Sequence, residues 1–198
     1  MKKQDFDFIP DTCRCNSALN LEILEQVITL AVEIAREGRE GRKVGTLFTV
    51  FDAERVLALS RCFILDPLEF HDNSKKSISD PNLRETVKEL SQLDGAFVVN
   101  DEGIILSACR YLDVLAEDVV LPLGLGSRHM AAASISLKTD AIAVVVSESS
   151  IVRIFVKGQV VSEIIPEIWL LKRYSVHLEG PYSTRKLEEM TVIDKETA

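Results

Sequence analysis

The sequence predicts an α/β chain with a mixed central β-sheet flanked by helices in one main domain. Three observations carry this. Apolar runs of strand length interleave with stretches of helical period along the 198 residues. Several neighbouring strand candidates are separated by only a few turn residues, which makes antiparallel hairpins. A hydrophobic content of 46% on a chain of this length fills one substantial core. An all-parallel sheet needs a long crossover after every strand, so a mixed sheet fits better.

Residues 1–16 show no clear periodicity and read as a loose arm. From Asn16 to Glu37 the pattern is helical: Leu21, Leu24, Val27, Ile28, Ala31, Ile34 and Ala35 recur at three- and four-residue steps. Asn16 or Asn20 can cap this helix, Gly38 can end it, and REGREGRK reads as the turn that follows. Val44–Asp52 (VGTLFTVFD) is rich in β-branched and aromatic residues and reads as a buried strand, with Val56–Ser60 as its hairpin partner. Pro67 and HDNSKKS mark a long loop in which Lys75 and Lys76 form a solvated pair. Ser79 or Asp80 caps a helix from Pro81 through Leu83, Val87 and Leu90, which hands the chain to Asp94. Phe97–Asn100 and Ile104–Ser107 form a hairpin around Asp101-Glu102-Gly103. Arg128–Leu137 is small and apolar enough for a short packed helix, and Ala141–Ser147 is a buried strand. Ile151–Val156 and Gln159–Val161 pair around Lys157-Gly158. From Ser162 the tail is expected to hold helical fragments, turns at Pro166 and Gly180-Pro181, and Trp169 as a packing anchor. These elements divide the chain into an arm and helix (1–40), a main domain (41–165) and a tail (166–198).

The formal charge of −8 argues against coating by nucleic acid, and no nucleic-acid partner is expected. No run of about 18 apolar residues exists to span a membrane, and MKKQDFDFIPD has no apolar stretch behind its lysines. The expected location is therefore cytoplasmic, without a membrane partner. The four cysteines Cys13, Cys15, Cys62 and Cys109 read as reduced thiols, since C-x-C lacks the repeated spacing of structural zinc, with a redox or metal role for Cys13 and Cys15 as the alternative.

Two segments carry the chemistry. Asp94-Gly95-Ala96 stands where a helix hands over to a strand. A carboxylate there can hold a divalent cation, help ionise a hydroxyl, or simply shape the turn. Small neighbours let a ligand approach the backbone. Gly126-Ser127-Arg128-His129 opens a helix, behind Gly124 and Gly126. Free amides at such a terminus favour anions, and Arg128 adds a fork suited to phosphate. His129 can donate to a phosphate or pack in the core, and Ser127 can cap the helix or bind phosphate. Ser147-Glu148 closes an apolar strand, where ligand contacts and turns both occur. Tyr111-Leu112 follows a strand; the tyrosine can stack on a base or sit in the core. His71 and His177 read as surface residues. No Walker loop, G-x-S-x-G or H-E-x-x-H is present.

With DGA followed by G-[ST]-R-H, the chain resembles the diadenylate cyclase (DAC) domain. VGTLFTVFD, ISDPNLRETVKELSQL, the hairpin into LSACRYL, and DAIAVVVSES fall in that family's order, over roughly residues 20–161. The resemblance implies a single DAC-like domain with an N-terminal helical extension. It implies condensation of two ATP molecules into cyclic di-AMP with release of two pyrophosphates, assisted by Mg²⁺ or Mn²⁺. Each protomer supplies half a site, so a face-to-face homo-oligomer is the implied partner. By this similarity Asp94, Arg128 and His129 are catalytic. Gly95, Ala96, Tyr111, Leu112, Gly126, Ser127, Arg128, His129, Ser147 and Glu148 bind ATP, and Asp94 and Glu148 hold the metal. One departure stands out: the family usually reads Arg-His-Arg, and here the third residue is Met130. Either Lys138 or Arg110 can substitute for the missing charge, or the chain is an ATP-binding sensor of the same fold with weak or no turnover.

Overall fold

The computed structural model describes Cys13, residues 20–114 and 119–166, and the segments 182–186 and 191–195. Residues 1–166 form one compact unit and 167–198 another.

Helix α1 (Leu21–Glu37) starts at the second of its two predicted caps: the Asn20 side chain accepts the Glu22 N–H. It ends at Gly38, in the left-handed region at φ 60°, whose N–H donates to the Ile34 carbonyl. Strand β1 (Thr46–Val50) is buried along its whole length. The chain then turns left-handed at Phe51 and Asp52 and enters a short helix, α2 (Ala53–Ala58). This overturns the expected hairpin partner at Val56–Ser60. Two consecutive left-handed residues divert the chain from the strand direction, and the Asp52 carboxylate pins the turn by accepting the Asp140 N–H. Burial of Ala53 and Val56 outweighs the strand preference of valine, a scale that spans only about 1 kcal/mol.

Strand β2 (Ser60–Cys62) pairs with β4, not with β1. The following loop contains a single 3₁₀ turn (Asn73–Lys75) capped by Asp72. Lys75 is exposed, but Lys76 is buried, against expectation. Its carbonyl accepts the Ile105 N–H, so a backbone bond draws this part of the loop onto the sheet. Helix α3 (Pro81–Leu90) is capped by Asp80 with Pro81 at its first position. It leads into β3 (Ala96–Val99), which forms the expected hairpin with β4 (Ile105–Leu112). Asn100 Oδ1 closes that hairpin by accepting the N–H groups of Glu102 and Ile104. Strand β4 runs beyond Ser107, so Tyr111 and Leu112 lie within it. Helix α4 (Ser127–Lys138) and strands β5 (Ile142–Val146), β6 (Val152–Val156) and β7 (Gln159–Ile164) complete the unit.

The seven strands form one sheet in the order β2-β4-β3-β1-β5-β6-β7. Only β1 and β3 are parallel; every other neighbour is antiparallel, which is the mixed α/β architecture expected. One face of the sheet presents Leu47, Ala96, Val98, Ala143, Val145 and Phe155 to Ala132, Ala133 and Ile135 of α4 and to Ala53 and Val56 of α2. Alternate residues such as Phe48 and Phe97, stacked at 5.0 Å, belong to the opposite face. The long apolar side of α1 lies against β5, β6 and β1. Between α1 and α3, Lys88 pairs with Glu33 and Glu37 and Arg84 with Glu33, while Glu85 pairs with Lys88 on the same helix.

Cys13, Cys62 and Cys109 are free. Burial pushes the Cys13 thiol up to about 11, which keeps it unreactive near neutrality. Cys15, His177, Trp169 and Gly180-Pro181 lie outside the described residues; His71 is exposed. The described tail segments beyond Pro166 are two strands, β8 (Tyr182–Lys186) and β9 (Thr191–Lys195), paired antiparallel; the expected helical fragments past Pro166 lie outside the described residues. Among the described residues no helix is long and apolar enough to cross a membrane.

Candidate functional site

Two adjoining cavities open where β3, β4 and β5 meet the start of α4. The first, about 270 Å³, has mainly apolar walls: Leu47, Phe63, Ala96, Leu112, Val114, Met130 and Ala131, with Asp94, Arg110 and Tyr111 also lining it. The second, about 370 Å³, is polar: Gly126, His129, Ser147, Glu148, Ser149 and Arg153 line it. Ser127 and Arg128 line both. All eleven site residues that the resemblance implied therefore line one cavity or the other.

Asp94 reaches the mouth of the first cavity because β3 and β4 meet irregularly beside it. The register between them slips, and Cys109 sits left-handed at φ 53° opposite the slip. Gly95 has φ 109°, and a Cβ there would lie 2.5 Å from the Cys109 carbonyl carbon. The close approach seen at this glycine is to the backbone of β4. The exposed Asp94 carboxylate accepts its neighbour's N–H at 3.0 Å and faces Arg128 Nη2 at 3.6 Å. On its other side, Arg128 Nη1 lies 3.2 Å from Glu148 Oε1.

One guanidinium therefore stands between the two carboxylates expected to hold metal. Both carboxylates are exposed and Arg128 is partly so, which makes these pairs weak and easily exchanged for a ligand, on the order of 1 kcal/mol or less. Their hard oxygen donors suit Mg²⁺ or Mn²⁺. Among the described residues no group of three or more His, Cys, Asp and Glu could hold an ion unaided. Two carboxylates are fewer donors than such a cation's full shell, so its other positions would fall to water or to a ligand's oxygens.

Gly45, just before β1, forms the floor beneath Arg128. A Cβ there would lie 2.7 Å from Arg128 Nη1 and 3.3 Å from Glu148 Cγ. Nothing in the local sequence marks this glycine as part of the site. Phe63 was missed for a similar reason: it lies in a loop, yet its ring meets that of Tyr111 edge-on at 5.5 Å. Tyr111 is exposed rather than in the core, and the Arg61 guanidinium lies 4.6 Å from the centre of its ring.

At the start of α4 the cap is Gly126, and Ser127 is the first helical residue, so the serine does not cap as expected. His129 is buried and lies beside Phe155 at 6.1 Å. Burial first, then the charges of Arg153 and Arg128, hold its pKa below the usual histidine range. Its Nε2 is 3.2 Å from Arg153 Nη1, and its Nδ1 has no partner among the described residues.

Neither substitute for the missing third basic residue is free in the polar cavity. Arg110 lines the apolar one and donates to Ser60 Oγ, Cys62 Sγ and the Leu57 and Ser60 carbonyls. Lys138 is the last residue of α4, at the end away from both cavities. The extra cation that lines the polar cavity is Arg153. Its signal was available: it sits two residues before Phe155, at a core-facing position of β6, where arginine is out of place.

Comparison with known proteins identifies the family. The family profile described as DAC, "DisA bacterial checkpoint controller nucleotide-binding", matches residues 33–160. A protein of Methanocaldococcus jannaschii named "Diadenylate cyclase" is 50% identical over 149 residues, 75% of this chain and 47% of that protein. A "Diadenylate cyclase" of Haloferax volcanii is 43% identical over 155 residues, 78% of this chain and 56% of that protein. The chain spans about half the length of these curated relatives. A solved structure described as the hypothetical membrane spanning protein from Bacillus cereus superimposes with a TM-score of 0.53 at 24% identity, covering 71% of this chain and 64% of that one. That last likeness speaks to the fold, and the sequence matches carry it to kinship: across the segment that builds both cavities, this chain belongs to the DAC family of nucleotide-binding domains.

Proposed function

We propose that this chain is a diadenylate cyclase, condensing two ATP molecules into cyclic di-AMP and releasing two pyrophosphates. The observation that carries this reading is the position of Arg128. It bridges Asp94 and Glu148 on the wall shared by an apolar and a polar cavity. Such a pair of compartments suits a nucleoside on one side and a triphosphate on the other.

In this reading the adenine packs against Tyr111, Phe63 and the aliphatic wall of Leu112, Val114 and Met130. Arg128 leaves its two carboxylates for the phosphates, and the Ser127 amide and hydroxyl join it. Once bound, Mg²⁺ or Mn²⁺ supplies neutralising charge on the phosphates, with Asp94 and Glu148 as its protein donors. Two protomers face each other with one ATP each. The 3′-oxygen of one ATP bonds to the α-phosphorus of the other as the bond from that phosphorus to the bridging oxygen of the leaving pyrophosphate breaks. Asp94 takes up the hydroxyl proton, and the same step in the opposite sense closes the ring. This chemistry needs positioning and charge rather than a covalent nucleophile. A half-site per protomer accounts for the small number of ionisable groups in each. The reaction draws on the ATP of the cytoplasm, where we place the protein.

The test is to incubate the pure protein with ATP and Mn²⁺ or Mg²⁺ and read the product by mass spectrometry. Cyclic di-AMP is expected, at a rate per protomer that rises with protein concentration. Unreacted ATP across metals and concentrations would refute the proposal. Met130 supports one alternative, a nucleotide-binding sensor without turnover, which calorimetry would reveal as ATP binding with no product.

A further inference from the structure

We propose that Arg153 is a positioning residue: it holds His129 in its Nδ1–H form and so keeps a buried hydrogen-bond donor ready for a phosphate in the polar cavity. This rests on the reading of that cavity as the phosphate-binding half of the site.

Residue register places the two together. On β6, Arg153 occupies the same sheet face as Phe155, which packs under α4. Arg153 lies opposite Glu163 of β7 and Val145 of β5. Glu163 Oε1 accepts from Arg153 Nε at 2.5 Å, which fixes the guanidinium and offsets its charge. Its Nη1 is then 3.2 Å from His129 Nε2. Arginine only donates, so Nε2 must be the acceptor and must carry no hydrogen. The opposite tautomer would set two donors against each other. The doubly protonated ring would be a buried cation beside Arg153 and Arg128, whose charges outweigh the opposing pull of Glu163.

The remaining hydrogen therefore sits on Nδ1. That atom is buried and has no partner among the described residues, although His129 lines the polar cavity. Buried donors are rarely left unpaired unless a ligand or water completes them. The other groups facing this space are Arg128 on the same helix, Glu148 after β5, and the hydroxyls of Ser127, Ser147 and Ser149. An anion that draws Arg128 from Glu148 would meet two cationic forks and one neutral N–H. His129 then serves as a fixed neutral donor rather than as an acid that gives up its proton.

The experiment is long-range proton–nitrogen correlation NMR of the ¹⁵N-labelled full chain at pH 7.5, without ligand. His129→Gln identifies the His129 signals among the three histidines. The wild type is expected to show a protonated Nδ1 and a bare Nε2. Arg153→Gln should lose that pattern to the Nε2–H form or to a mixture of the two tautomers. Arg153→Lys, whose ammonium also only donates, should retain it. In parallel, calorimetry with inorganic tripolyphosphate in the absence of metal should show binding about tenfold weaker in Arg153→Gln, the loss of roughly one hydrogen bond. An Nε2–H or imidazolium form in the wild type would overturn the proposal. So would an unchanged tautomer or unchanged tripolyphosphate affinity in Arg153→Gln. If that variant does not fold, the wild-type spectrum and Arg153→Lys still decide the matter. Since the tautomer is read without turnover, a failure to cyclise ATP is a separate result.

Discussion

Replacing Gly45 with alanine separates the site from the fold. Gly45 is buried just before β1, and its φ lies outside the left-handed region, so alanine fits its backbone. The added Cβ would lie 2.7 Å from Arg128 Nη1 and 3.3 Å from both Arg128 Cζ and Glu148 Cγ. Ordinary contact begins near 3.5 Å, so the guanidinium must retreat by roughly 1 Å. It is the end of a flexible, partly exposed side chain, and its ion pairs are weak, so folding loses little. Alanine also reduces the freedom of the unfolded chain, which is worth about 0.4–1 kcal/mol toward stability. The melting temperature should therefore stay within about 4 °C of the wild type.

Catalysis is far less tolerant: a displacement of about 1 Å at a group that positions phosphate can cost up to about 100-fold, near 2.7 kcal/mol of barrier. Because Arg128 can partly adjust, kcat/KM for cyclic di-AMP formation should fall between about tenfold and 100-fold. The assay pairs initial rates at several ATP concentrations with thermal unfolding of the same samples. A folded variant within about threefold of wild-type activity would refute the reasoning, because Arg128 would not need its present place. Gly95→Ala is the contrasting case. There φ is 109° and the clash is with the backbone of β4, neither of which can yield, so the variant should be destabilised by more than about 3 kcal/mol.

Three further outcomes are expected. Asp94→Asn should lower turnover by at least about 100-fold, the usual worth of a positioned base. Its ATP affinity should hold within a few-fold, and its stability should change little because the carboxylate is exposed; normal cyclisation would mean Asp94 has another role. Met130→Arg should weaken ATP binding several-fold and should not raise turnover, because Met130 lines the apolar cavity against which the adenine is proposed to pack and not the polar one; a tenfold gain in turnover would instead favour the weak or sensor reading. Since the folded protein holds the His129 pKa below its unfolded value, the unfolded chain binds this proton first as pH falls. Stability from this group is therefore lost below about pH 6.5, down through the folded-state pKa, and is independent of pH above that window. Urea unfolding at pH 7.5 and 5.5 should show a smaller acid loss in His129→Gln than in the wild type, and equal losses would contradict this.

Periodicity and turn chemistry made most elements legible from the sequence. The apolar stripe of α1, the Asp80-Pro81 start of α3 and the hairpins at Asp101-Glu102-Gly103 and Lys157-Gly158 are local signals, carried by residues one to four apart. Helix α2 was not legible. It is six residues long, and its entry depends on left-handed Phe51 and Asp52, conformations that a glycine would have advertised and these residues do not. The residues of the site that lie in two short motifs were readable for the same local reason. Gly45 and Phe63 were not, because their roles depend on neighbours distant in sequence, and the odd place of Arg153 on its strand did not say which residue it would meet. Arg153 meets His129 across 24 positions only because β6 lies beside β5 beneath α4. A side chain's face follows from its place along a strand, which the sequence alone determined. What stands opposite that face depends on strand order, and strand order emerges only when the helices pack on both sides of the whole sheet.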